Sequence, residues 1–265
     1  MKDRTKLACA TLFAAMLAAG CSKGGQETGQ QQEQAKPVTE TATPPPAAGG
    51  ATQSATLTGK INLEGTAPAR VPVKMSADPQ CAAAHTAPSM SQDVVVDEGN
   101  MIKNVFVYVK SGLEGQEFPA PADAVMFDQK GCQYDPHVFG IMVNQPLKIL
   151  NSDPTLHNIH ALPKKGEFNL GMPKQGMEFT KTFVESEVMV HIKCDVHPWM
   201  SAWAGVLTHP YHAVTDEHGN FTIKDLPAGT YTIEAWHEKF GTQSQSVTVG
   251  ATPTQEANFT FNVTS

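Results

Sequence analysis

After residue 55 this 265-residue chain has no long stretch of helical periodicity, which excludes a helical bundle or a coiled coil. Beyond residue 19 it has no apolar run approaching the ~20 residues a helix needs to cross a bilayer. Cations are sparse, 19 Lys and Arg against 26 Asp and Glu, and they form no stripe, so nucleic acid is not expected as a partner. Aromatics make up 7% of the chain, and four Tyr with three Trp are few for a glycan-stacking platform. Cysteine is scarce as well, with five in all, so the context of each one matters.

What is present begins at the N-terminus. Lys2, Arg4 and Lys6 precede an apolar run over residues 7–19, too short to span a membrane and of signal-peptide length. The run ends in Leu17-Ala18-Ala19-Gly20-Cys21, which resembles the lipobox of bacterial lipoproteins. It departs from that pattern at Ala18, where a branched apolar residue is usual. The resemblance implies removal of residues 1–20, lipidation of Cys21 and attachment to a membrane through that lipid. By the sorting rule of that class, Ser22 implies the outer membrane, on the periplasmic side of the cell envelope. Without residues 1–20 the chain holds 16 Lys and Arg against 25 Asp and Glu, a formal balance of −9. Residues 21–55 are rich in Gln, Pro and Gly and poor in apolar side chains, so they are expected to form a disordered tether.

The remainder alternates with period two. Leu57, Ile61 and Leu63 share one parity, and so do Val105, Val107 and Val109. The pattern recurs at Leu147 and Ile149, at Val188, Val190, Ile192 and Cys194, and at Phe259, Phe261 and Val263. Turn signals such as Glu98-Gly99-Asn100 and His218-Gly219-Asn220 separate these runs. Short strands at this spacing predict an all-β fold, a Greek-key sandwich. Parity points Cys194 into the core beside Ile192, and His157 inward with Ile159 and Ala161; it points Asn158 and His160 outward.

Cys9 and Cys21 belong to the leader and its end, which leaves Cys81, Cys132 and Cys194 in the folded part. Export places them in an oxidising compartment. A Cys81–Cys132 disulfide is the plainer reading, and it leaves Cys194 unpaired. A second metal site built from Cys81, His85, Cys132 and His137 remains an alternative.

Cys194 lies in Lys193-Cys194-Asp195-Val196-His197-Pro198-Trp199-Met200, and His157 lies upstream in Asp153-Pro154-Thr155-Leu156-His157-Asn158. One thiolate, two imidazoles and one thioether make the ligand set of a blue-copper electron-transfer site. The run Cys194-x-x-His197-x-x-Met200 resembles the cupredoxins, with the loop length of the amicyanin-like branch, and the likeness covers roughly residues 90–208. It implies one type 1 copper held by His157, Cys194 and His197 in the equatorial positions and Met200 axially. Asn158 is the candidate to hydrogen-bond across to the Cys loop, and His160 competes with His157 as the strand ligand. Residues 163–177, with Met172 and Met177, form an insertion longer than a small cupredoxin needs. His85, His137, His191, His209, His212, His218 and His237 are expected at the surface or in loops.

From about residue 210 the pattern changes, and roughly residues 211–250 show turns at Gly219, Leu226-Pro227 and Gly229 and inward Phe221, Tyr231 and Ile233. They resemble the carboxypeptidase regulatory-like domain, a small transthyretin-like β-sandwich. No catalytic dyad is visible there; Glu234 and Glu238 have no evident partner. The expected organisation is a cupredoxin-like domain over 56–209 and a regulatory-like domain over 210–265, with residues 56–63 as a source of early strands for the latter. The function implied is single-electron transfer rather than enzymatic turnover, with redox partner proteins. The competing reading is a non-redox module on the same scaffold, for copper storage or sensing or for binding a glycan or a protein.

Overall fold

A computed structural model of the chain describes residues 54–250 and 252–263. The expected leader, the lipid-acceptor Cys21 and the tether up to residue 53 lie outside the described residues. The strands run in the order β1 (Ser54–Glu64), β2 (Phe106–Ser111), β3 (Val125–Lys130), β4 (Gln133–Asp135), β5 (Val138–Met142) and β6 (Leu147–Asn151). Next come β7 (His157–Ala161), β8 (Phe168–Met172), β9 (Met177–Lys181), β10 (Glu187–Lys193), β11 (Ser201–Leu207) and β12 (His212–Val214). β13 (Asn220–Pro227), β14 (Gly229–His237), β15 (Gly241–Val249), β16 (Thr254–Glu256) and β17 (Phe259–Asn262) complete the set. One short helix, α1 (Pro79–Ala83), interrupts the β1–β2 connection. The all-β expectation is what the structure shows.

These strands form two sandwiches. In the first, a five-stranded sheet β5-β11-β10-β7-β8 faces a four-stranded sheet β4-β3-β6-β9. Phe127, Ile149, Ile159, Ile192 and Val206 fill the space between them. In the second, β13-β1-β16 with β17 faces β12-β2-β14-β15, around Leu57, Ile61, Val107, Ile233 and Phe261. Strand pairing crosses the boundary expected at residue 210. β1 pairs with β13, β16 and β17, and β2 pairs with β12 and β14. The strands of the second sandwich therefore come from both ends of the described chain, and β2 belongs with them as well as β1.

The parity of β2 holds but its opposite face is covered too, and one expectation on β10 needs correction. In β2 both parities are buried, because Val105, Val107 and Val109 face the second core while Phe106 and Tyr108 face the first sandwich. In β10 the register shifts between Glu187 and Val190, so Val188 leaves the inward row and is 38% exposed. Val190, Ile192 and Cys194 keep that row. Phe106, Tyr108, Val138, Met189 and Leu207, with Trp203 and Trp236, form a third apolar cluster between the sandwiches.

The same packing corrects the expectation for His191, His212 and His237, which lie on β10, β12 and β14 with limited exposure, whereas His85, His137, His209 and His218 lie between strands as expected. His137, His209 and His237 are buried, and His212 is half-buried with its ring against Phe106. His218 stays exposed. Glu234 and Glu238 also have partners after all. Glu234 accepts from Tyr108 Oη at 2.5 Å, and Glu238 pairs with His137 Nε2.

Candidate metal centre

β7 and β10 run antiparallel, with Ile192 opposite Ala161 and Lys193 opposite His160. His157 starts β7 and Cys194 follows β10, so the two side chains meet at one end of the first sandwich. The loop between β10 and β11 then turns back. Cys194 N donates to Met200 O at 3.2 Å, and Met200 N donates to His197 O at 2.9 Å. This short closure places His197 beside both residues. Met200 is buried in the same core as Cys194, and His157 is buried against the loop. The ligand atoms of His157, Cys194 and His197 lie within 4.8 Å of one another.

The facing atoms are specific. His157 Nδ1 is 2.9 Å from His197 Nδ1, and Cys194 Sγ is 4.0 Å from His197 Nδ1. Both outer nitrogens meet carboxylates: His157 Nε2 is 2.9 Å from Asp153 Oδ2, and His197 Nε2 is 3.1 Å from Asp78 Oδ2. Both carboxyls are held below their ordinary range. Burial opposes ionisation in each; for Asp153 the His157 and backbone N–H bonds outweigh it, and for Asp78 the Gln80 N–H and His197 do. An ionised carboxylate only accepts, so each Nε2 must donate. Two neutral imidazoles then turn bare Nδ1 lone pairs toward each other, beside a thiol. The arrangement is one positive charge short, which a proton or a metal ion can supply.

The thiol is primed for the same end. Burial alone would raise the Cys194 pKa, but His157 and the nearby backbone N–H groups outweigh it and hold it below the ordinary value. His197 N donates to Sγ at 3.3 Å. His157 is raised, because Asp153 and Cys194 outweigh its burial, whereas burial lowers His197. One Cys and two His with their Nδ1 atoms converging fit a soft, N/S-preferring ion such as copper.

Asn158 is buried, not outward as parity suggested, because the Cys194 loop folds over it. Its Oδ1 accepts from Asp195 N at 2.6 Å and lies 3.2 Å from Cys194 Sγ, the cross-loop contact expected of it. His160 is not brought to the cluster. Its two nitrogens pair with Asp195 and Glu167, each at 2.9 Å. The insertion over 163–177 contains β8, and Met172 is buried with Sδ 2.9 Å from Gln129 Nε2.

Cys81 and Cys132 form a disulfide, and Cys194 is the free cysteine among the described residues. His85 and His137 are turned to other partners, Gly131 O and Ser201 O, so the alternative site built from those four residues does not assemble. Sequence reasoning missed Asp78. The signal available was Asp78-Pro79, a helix N-cap followed by proline just before Cys81.

Residues 205–262 match the family model for the carboxypeptidase regulatory-like domain. A search of curated protein sequences gave no match. Similar solved structures include a purple cupredoxin from Nitrosopumilus maritimus, with 24% identity over 32% of this chain and 99% of that one, TM-score 0.28. An oxidised proline-to-glycine mutant of amicyanin shares 22% identity over 38% of this chain and 97% of that one, TM-score 0.28. A Cu-containing nitrite reductase from Thermus scotoductus SA-01 shares 21% identity over 36% of this chain, TM-score 0.29, and the match spans about a quarter, 26%, of that protein. Likenesses at these scores carry no weight for the site, whose reading rests on its own geometry. The chain is thus all-β, with a regulatory-like domain match at its C-terminal end and cupredoxins among its structural neighbours.

Proposed function

We propose that this protein is an electron carrier whose redox centre is one copper ion held by His157, Cys194 and His197, with Met200 as the fourth donor. The observation that carries the proposal is the convergence of two imidazole Nδ1 atoms and one buried thiol, the outer nitrogens being committed to carboxylates. Copper bound there supplies one-electron exchange between two oxidation states. The protein's own residues supply the rest. The Asp153 and Asp78 carboxylates fix each imidazole with Nδ1 inward, as outer partners of metal-binding His do. Asn158 and the His197 N–H hold the sulfur in place. Burial of all four donors keeps competing water from the site.

On the sequence evidence, the carrier is tethered through lipidated Cys21 to the periplasmic face of the outer membrane and exchanges electrons with protein partners. The test is copper(II) titration of the purified protein. One equivalent should bind with an intense thiolate-to-copper absorption band and reduce reversibly by one electron. Binding of copper without that band would favour the storage or sensing alternative. Mass spectrometry of the membrane fraction, read for a diacylglyceryl group on Cys21, tests the anchor.

A further inference from the structure

We infer that Asp78 and Asp153, joined through the Cys81–Cys132 disulfide, are the positioning residues of the metal site. The inference rests on the copper reading for its effect on potential, but its geometry concerns the protein's own residues.

Each half of the disulfide supports one carboxylate. Cys81 N donates to Asp78 Oδ1 at 3.3 Å, with Gln80 N at 2.8 Å on the same oxygen. Cys132 N donates to Asp153 Oδ2 at 2.7 Å, with Gly131 N at 2.7 Å on Oδ1. The other Asp78 oxygen accepts from Thr155 Oγ1 at 3.0 Å, which ties it to the segment leading into β7. Asp78 then holds His197, and Asp153 holds His157. One covalent bond thus connects the two cradles, although 51 residues separate its cysteines in sequence. Both cysteines are buried, so the link is shielded from thiol exchange, which requires access to a sulfur.

Two consequences follow. The ligand nitrogens are set before metal arrives, because neither imidazole can turn without breaking a bond to a carboxylate. The outward edge of His197 is also closed, with Asp78 on Nε2 and Cys81 Sγ 3.7 Å away. A negative carboxylate on each Nε2–H makes the imidazole a stronger donor and favours copper(II) over copper(I).

The experiment compares wild type, Asp78→Asn, Asp153→Asn and the Cys81→Ser/Cys132→Ser double variant. Asn is a competent N-cap, so Asp78→Asn removes charge while keeping the start of α1. Two measurements are made: the copper reduction potential, and histidine side-chain 15N NMR of the metal-free protein. Asp78→Asn and Asp153→Asn should each shift the copper(II)/copper(I) affinity ratio tenfold toward copper(I), about 59 mV upward for one electron. In the metal-free wild type, each Nε2 should carry a slowly exchanging proton. That proton should exchange faster in the matching Asn variant, and both should do so in the double variant. Unchanged potentials together with unchanged exchange would overturn the inference. Failure to bind copper would sink the copper reading alone, since the metal-free spectra still decide whether the carboxylates hold the imidazoles.

Discussion

His157 Nδ1 and His197 Nδ1 face each other at 2.9 Å, although 40 residues separate them in sequence. With both Nε2 atoms donating to carboxylates, this contact is the geometry on which the proposed copper site rests. On β7 it is His157 that reaches Cys194 and His197, while His160 pairs with Asp195 and Glu167. His157→Ala should abolish stoichiometric copper binding, whereas His160→Ala should leave it intact. His160→Ala should change stability by less than about 1 kcal/mol, because its partners Asp195 and Glu167 are solvent-exposed. Isothermal titration with copper(II) and urea unfolding check the two parts.

Asn158 bridges the strand and the loop through four contacts, to Cys194, Asp195 and Asn169. Asn158→Ala leaves the half-buried Asp195 N–H without its acceptor, which should cost about 1–3 kcal/mol. Urea unfolding should show that loss. The thiolate-to-copper band should shift or broaden, because the sulfur loses a neighbour.

Gly205 on β11 lies against the ring of Phe106 on β2, so the sandwiches touch where no side chain intervenes. A Cβ at Gly205 would lie 2.2 Å from Phe106 Cζ. The ring cannot easily retreat, being flanked by Tyr108 and His212. Gly205→Ala should destabilise the protein by about 1–3 kcal/mol or more through overpacking. A lowered unfolding midpoint, partly restored by Phe106→Leu in the same chain, is the expected result.

Burial holds His212 and His237 far below the ordinary histidine value, each at about 4. The unfolded chain, with histidine near 6.5, binds protons that the folded chain refuses between about pH 6.5 and pH 4. Stability should therefore fall as pH drops through that window and be unaffected by these two groups above it. The limit is about 3 kcal/mol for each. His237→Phe keeps the stack on Phe240 and should flatten the fall, as read by urea midpoints at about pH 7, 6, 5 and 4.5.

The first sandwich was legible because period-two alternation reports which face is buried. Leu147, Ile149, Val190 and Ile192 follow it. Alternation fails wherever both faces are covered, and β2 is the example: Phe106 and Tyr108, on the parity opposite Val105, Val107 and Val109, pack against the first sandwich. The candidate ligand residues were legible because three of them sit in one short run, Cys194, His197 and Met200. Asp78 was not, since it acts through space on a histidine 119 residues away. The burial of Asn158 was hidden for a related reason, because strand parity says nothing about a loop folding over the outer face. The interleaving of the sandwiches was only half visible, in the early strand supplied by residues 56–63.

The central claim is that Cys194 and the two histidines hold one copper ion as a thiolate-bound redox centre. Its most direct test is the visible and electron-spin spectrum of the metal-free protein after one equivalent of copper(II), beside Cys194→Ser. An intense thiolate-to-copper band in the wild type, absent from the variant, is the predicted result. A wild-type protein that stays colourless, or an equal spectrum in Cys194→Ser, would contradict it.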